Sequence, residues 1–363
     1  MKSRLLITLF LVTAIQAFAQ NGATIDETAR FLAGLPVNGP LERLTHDPAW
    51  QEHAAAMDEA WKRKEQLQIG PIREWMLANA GEYYRSSNTM YYMFSGPDFL
   101  YANLFFPNAS TYILAGLESI GQVPDLVRMP PEILRSELGA LRGSMNTILK
   151  FQYFITKDMR AELGRGQLSH GGIDGTLPIL YVFLARLGYT VVESGRVGSP
   201  ADGVKIKFAE GDRPPQTLYY FKTDLAGGNS NFLRWCATRG PGLSLLKAAS
   251  FLMHGDGFSG VRNFLLEHSL VIMQDDSGIP LRAFPKGWKI NCYGRYVPHK
   301  EEFEKYYQPD LAALYAQEPP PTPLGFAFGY HWQKEDGILM VATREALPAL
   351  PAEQQPQERR VRK

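Results

Sequence analysis

The alternation of hydrophobic and polar positions changes period several times along this chain, and each change marks a predicted element. Residues 20 to about 45 read as a loose lead-in, with Gly, Pro and Asn gathered at 35–40. A helix then starts at Asp47, a good N-cap. Pro48 takes its first position, and Trp50, Ala54, Met57 and Trp61 fall on one face. Pro71 opens a second helix through Trp75 and Leu77 that closes near Gly81.

The middle of the chain behaves differently. Residues 90–94 form a continuous apolar run, which suits a strand covered on both faces. It stops at Ser95-Gly96-Pro97-Asp98, where a short helix over 99–106 begins and runs to Pro107. A second apolar run at 112–117 ends on Glu118. Strand, helix and strand within thirty residues predict two adjacent parallel strands.

Further on, the pattern predicts helices at 132–149, 176–187, 244–253, 259–267 and 300–315. Strands are expected at 190–193, 270–273, 289–293, 326–330 and 338–342, with a hairpin of 204–208 and 218–221. The expected fold class is α/β: a mostly parallel central sheet built on the βαβ unit at 90–118, flanked by helices, with antiparallel strands added in the C-terminal half. No shift in composition forces a boundary, so 20–346 reads as a single domain with a helical N-terminal part.

Composition adds an address. Lys2 and Arg4 precede an apolar run at 5–15, and Ala17-Phe18-Ala19 offers a small-residue cleavage site. This is the three-part pattern of a secretory signal peptide over 1–19. It predicts cleavage after Ala19 and a periplasmic or secreted protein. No later segment is long and apolar enough to span a bilayer, so the mature chain is expected to carry no transmembrane segment. Residues 347–363 read as a disordered basic tail ending in Arg359, Arg360, Arg362 and Lys363. The formal net charge is +1, and the body between leader and tail is mildly acidic, which gives no electrostatic reason to expect nucleic acid. The two cysteines, Cys236 and Cys292, allow either one disulfide or two free thiols.

Candidate chemistry gathers at strand ends. Ser95, Gly96 and Asp98 follow the first apolar strand, where ligands bind in open α/β sheets. Ser95 lacks the glycines of a nucleophile elbow. Glu118 ends the next strand, where a carboxylate holds ribose in dinucleotide and methyl-donor folds, although the loop has too few glycines for one. Ser169-His170-Gly171-Gly172 suits a glycine-rich connection better than a protease histidine.

The sharpest polar motif is Gln274-Asp275-Asp276-Ser277-Gly278-Ile279-Pro280, directly after an apolar strand. Two adjacent carboxylates there suit a divalent metal ion or acid–base work, yet the same residues are ideal turn formers. If neighbouring elements converge, Asp224, His254, Asp256, Asp275 and Asp276 line one acidic rim. The other histidines, His46, His53, His268, His299 and His331, show no metal-ligand spacing.

The segments Phe94-Ser95-Gly96-Pro97-Asp98-Phe99, Phe105-Phe106-Pro107, Gly116-Leu117-Glu118 and 274–280 resemble those of an uncharacterised family of exported bacterial proteins. That resemblance implies export and one shared architecture, and it supplies no catalytic residues. Three functional classes follow. The first is an exported enzyme, a hydrolase acting at the acidic rim with Asp275, Asp276, His254 and Ser95 as its chemical groups and Gly96, Asp98, Glu118 and Asp224 as binding groups. The second is a non-catalytic ligand-binding or envelope-associated protein. The third is a degenerate Rossmann-like nucleotide or methyl-donor fold without cofactor.

Overall fold

The computed structural model describes residues 22–80, 88–151, 172–299, 301–331 and 333–344. The expected leader (1–19), residues 169–171 of the glycine-rich run including His170, and the basic tail lie outside the described residues.

A single nine-stranded sheet organises them: β1 (Thr89–Tyr92), β2 (Thr111–Gly116), β3 (Thr190–Val197), β4 (Gly203–Ala209), β5 (Gln216–Lys222), β6 (Gly242–Leu246), β7 (Ser269–Gln274), β8 (Trp288–Gly294) and β9 (Ile338–Arg344). Their order is β3-β4-β5-β2-β1-β6-β7-β9-β8. The β5-β2, β2-β1, β1-β6 and β6-β7 pairs are parallel. The β3-β4, β4-β5, β7-β9 and β9-β8 pairs are antiparallel. The fold is therefore α/β with a mixed sheet. The expected predominance of parallel pairing is corrected, because antiparallel ribbons flank the sheet on both edges.

β1 and β2 do pair in parallel, with Tyr91 opposite Ile113, and a helix lies between them in sequence. Successive side chains of a strand point to opposite faces. Tyr92, Tyr112 and Leu114 therefore enter one buried cluster, while Tyr91, Ile113 and Ala115 enter another. Burial on both faces explains the unbroken apolar runs.

The first face is covered by α1 (Ile25–Leu32), α2 (Pro48–Lys64), α3 (Gly70–Asn79), α4 (Phe99–Phe105), α5 (Pro131–Phe151) and α6 (Leu177–Arg186). The second is covered by α7 (Ser230–Ala237) and α8 (Ser259–His268). α9 (Pro309–Tyr315) packs Leu311 and Tyr315 on Ile338 and Met340 at the β8-β9 edge.

The βαβ connections fix where a crevice can open. The helix between β1 and β2 (α4) lies on the first face, and the helix between β6 and β7 (α8) lies on the second. β1 and β6 are neighbours, so the chain leaves them in opposite directions. Their carboxyl ends form the kind of switch point where α/β sheets bind ligands.

Several local expectations are corrected. Residues 25–32 form α1 rather than loose chain, with Thr24 capping Glu27 N and Phe31 and Leu32 fully buried. Residues 242–246 are the buried strand β6, so the helix expected over 244–253 is absent there. Only a single 3-10 turn at Leu252–His254 follows. Residues 326–330 form no strand; Phe326 and Phe328 fill the core from a loop. The expected 300–315 helix is broken into a 3-10 segment, Glu301–Tyr306, and α9, because Pro309 starts a new helix.

Both cysteines are free. Cys236 is buried in the cluster under α7, and Cys292 packs in the separate cluster beside α9, so the disulfide alternative is excluded.

Candidate metal centre at the end of strand β7

The 274–280 motif folds into a pinned loop. Gln274 closes it, accepting from Ile279 N at 3.0 Å and donating to the Ile279 carbonyl at 2.7 Å. Gly278 lies against that amide so closely that an added β-carbon would stand 2.6 Å from Gln274 Oε1. Asp275 is fully buried and accepts three hydrogen bonds, and a fourth bond reaches it through Ser277. Ala248 N donates to Oδ2 at 3.0 Å, and Ser277 N and Oγ donate to Oδ1 at 3.2 and 2.5 Å, while Ser277 Oγ itself accepts from Ala249 N at 2.7 Å. Burial, and then the charge of Asp276, push the Asp275 carboxyl up to about 6. Asp275 therefore pins two loops together. Its expected chemical role is corrected to positioning.

With Asp275 spent on the loops, Asp276 faces two histidines that arrive from distant loops. His299 Nε2 lies 3.0 Å from Oδ2 and 3.3 Å from Oδ1. His331 Nε2 lies 3.8 Å from Oδ1, beyond hydrogen-bond reach, and that buried nitrogen has no partner. One ligand atom from each of Asp276, His299 and His331 falls within 4.8 Å of the others. Burial opposes ionisation of Asp276, but the hydrogen bond from His299 and the charges of His299 and His331 prevail and hold its carboxyl low. The site is nearly closed: side-chain exposure is 1% for Asp276, 7% for His331 and 13% for His299. Gln308, fully buried, fixes the Asp276 backbone by donating to its carbonyl at 3.0 Å.

Two imidazoles and one carboxylate form a donor set suited to zinc, iron(II) and related ions, and three protein ligands leave coordination positions open. The sequence reading missed His299 and His331. They lie far from Asp276 in sequence, one on each side of α9, and only the folding of those loops onto β7 joins them.

The surrounding backbone is under strain. Ala248, Ser250 and Phe251, just after β6, have φ of +50°, +54° and +55°, and Glu301 beside His299 has +56°. Such conformations are costly for residues with a β-carbon and concentrate at functional sites. Asp275 and Ser277 hold the start of this loop. Tyr330 holds it from the other side through Ser250 Oγ at 2.8 Å and the Ala248 carbonyl at 3.1 Å. Phe251 is thereby set edge-on to His299, with ring centroids 5.4 Å apart.

No protein-family profile matches the chain, and no curated protein or solved structure does. The site must be read from its own chemistry.

Of the other expected site residues, His254 joins the centre from the side. Its ring is set against the Asp276 backbone and edge-on to Phe251 at 5.2 Å. Burial and then Arg282 lower its pKa to about 4. Ser95 is buried and its hydroxyl is directed at the Gly96 and Ala115 carbonyls at 2.8 and 3.3 Å, so it is not presented as a nucleophile. Gly96 packs against Gly116, where an added β-carbon would stand 2.9 Å from its Cα, so its role is close backbone approach. Glu118 is buried under Tyr220, whose hydroxyl lies 2.9 Å from the Glu118 carbonyl and 3.3 Å from Oε2, so its carboxylate is not presented for a ribose. Asp224 and Asp256 are exposed turn residues. Asp224 accepts from Ala226 N at 2.9 Å, so neither belongs to the rim.

Asp98 serves the core beneath the switch point. It caps α4 through Tyr101 N at 3.3 Å, accepts from Tyr92 at 2.9 Å, and pairs with the buried Lys247 at 3.1 Å. Lys247 also lies 4.0 Å from the Tyr101 ring centroid. On the other side of that tyrosine is a second buried lysine, Lys64, which donates to the Tyr101 hydroxyl at 3.1 Å and the Leu149 carbonyl at 3.2 Å. Tyr101 in turn donates to Gln68 at 3.0 Å. Gln68 sits in a π-type stretch, Glu65–Ile69, that joins α2 to α3.

Proposed function

We propose that this chain is an exported metalloprotein in which Asp276, His299 and His331 hold a divalent transition-metal ion, and that the ion activates water for hydrolysis. The observation that carries the reading is the buried, unpartnered Nε2 of His331 facing the Asp276–His299 pair. A buried nitrogen without a partner is costly in the apo protein, and a metal ion would satisfy it.

Three further features support the reading. The centre lies just beyond the carboxyl end of β7, next to the switch point. Strained residues surround it. The donor set leaves room for water, whose pKa a bound zinc ion lowers to near neutrality. An ion held by Asp276, His299 and His331 would supply Lewis acidity and an activated water for hydrolysis of an ester or a phosphate. Export fits this chemistry, since hydrolysis draws on water and a metal ion rather than a soluble nucleotide.

The test begins with protein recovered from the periplasm or medium. N-terminal sequencing should start at Gln20, and elemental analysis should find close to one transition-metal ion per chain. Chelation followed by zinc or cobalt should restore binding in the wild type but not in Asp276→Asn. A panel of 4-nitrophenyl esters and phosphates then asks for metal-dependent turnover. Absence of metal binding, or binding untouched by Asp276→Asn, would refute the centre. A metal site without turnover favours the non-catalytic ligand-binding alternative.

A further inference from the structure

Beside the metal centre a cavity of about 470 Å³ opens to solvent. Its floor is a stacked pair, Phe251 and Tyr306, with ring centroids 4.6 Å apart and planes within 1° of parallel. Arg282 and Lys305 stand on its wall, and Lys305 Nζ lies 5.1 Å from the Tyr306 ring centroid. Among the described residues neither cation has a carboxylate partner. His254 completes the lining with a buried Nε2 that no group of the protein satisfies. Phe251 is common to both places: one ring edges His254 in the cavity and His299 in the centre.

We infer that this cavity is a recognition subsite for an anionic group, a carboxylate or phosphate carried on a planar apolar body, on the molecule presented to the metal centre. Each element has a partner in such a ligand. Two unpaired cations and an imidazole nitrogen bind the anion by charge-assisted hydrogen bonds. The stacked rings cover the apolar body.

That the ligand is substrate rests on the metal reading. The subsite itself does not, which separates the two in experiment. Benzoate and phenyl phosphate serve as anionic probes and benzamide as the neutral control, each titrated by calorimetry and ligand-observed NMR into the full mature chain after chelation. The anions should bind, benzamide should not, and added salt should weaken binding. The double variant Arg282→Gln/Lys305→Gln changes exposed side chains only, and should weaken anion affinity by roughly tenfold or more. Asp276→Asn should leave anion affinity unchanged while abolishing metal binding. Preference between the two probes identifies the anionic group. Failure of both anions to bind, equal binding of benzamide, or unchanged affinity in the double variant would overturn the subsite even with the metal centre intact. Conversely, anion binding by a chain that takes up no metal ion when zinc or cobalt is supplied would leave the subsite standing and remove the hydrolase.

Discussion

Gly329 lies directly against Asp275: an added β-carbon would collide with Oδ2, and the glycine holds φ +70°. This contact joins the loop that carries Tyr330 and His331 to the loop that carries Asp276. Gly329→Ala therefore meets both a steric clash and a strained backbone, and should lower stability by roughly 1–3 kcal/mol. It should also weaken metal binding, because His331 is two residues away. Thermal unfolding with and without zinc measures both effects. A variant as stable and as metal-competent as the wild type would show that the two loops are not coupled.

The two histidines should behave differently. His299 is hydrogen-bonded to Asp276 without any metal, whereas His331 is not. His299→Ala leaves a buried carboxylate short of its partner and should destabilise the metal-free protein as well as abolish metal binding. His331→Ala should abolish metal binding with a smaller loss in the metal-free protein. Melting curves recorded in chelator, set beside zinc titrations, separate the pair; equal metal-free losses would contradict the assignment.

Much of this site's frame was legible in sequence, and its chemistry was not. The apolar runs ending in Ser95-Gly96-Pro97-Asp98 and Glu118 declared β1, α4 and β2, because strands covered on both faces leave a local signal. The 274–280 motif declared a strand-end loop, and Asp276 does occupy it. The helix expected over 244–253 fails because Leu243, Leu245 and Leu246 serve both faces of a buried strand, and a short apolar run carries no period that separates strand from helix. Cys236 and Cys292, the acidic rim and the two missed histidines share one cause: their relations are set by which elements pack together. No spacing in the chain records that His299 and His331 close over β7.

Asp98 provides a test of the core under the switch point. It pairs with Lys247 at 3.1 Å, with both side chains almost fully buried. Asp98→Ala also removes the α4 cap and the Tyr92 acceptor, so a loss of about 3–5 kcal/mol is expected. Chemical denaturation measures it. A loss below about 1 kcal/mol would mean that the lysine finds another solution.

Lys64 gives the pH prediction. Burial first, and then the charge of Lys247, lower its pKa from 10.5 to about 7. Between these values the unfolded chain holds a proton that the folded chain has released. Stability therefore falls as pH is lowered through this window, and the full penalty is present below about 7. Lys64→Met removes the titration, though it also removes the lysine's hydrogen bonds to the Tyr101 hydroxyl and the Leu149 carbonyl, at about 1 kcal/mol each. Relative to wild type, the variant should gain a few kcal/mol on moving from pH about 10 to about 6. Parallel denaturation curves across that range decide the matter, and a constant difference would show that Lys64 keeps its proton throughout.

Asp275→Asn distinguishes a positioning carboxylate from a chemical one. Asparagine preserves the shape, and at an ordinary turn it would cost little. Here three donors converge on the two carboxylate oxygens: Ala248 N on one, Ser277 N and Oγ on the other. An amide offers one oxygen and one NH₂ group, so in either orientation a donor faces a donor in a fully buried place. The expected loss is about 1–3 kcal/mol, offset in part by relief of the repulsion from Asp276. The strained loop over Ala248, Ser250 and Phe251 should loosen with it, seen as faster amide exchange at Ala248 and Ala249. Metal should still bind, with reduced affinity, because Asp276, His299 and His331 are all retained. Ser277→Ala removes one donor and leaves the other two bonds, so it should show the same pattern in weaker form. Complete loss of metal binding in Asp275→Asn with unchanged stability would instead make Asp275 a ligand, and the loop bonds incidental.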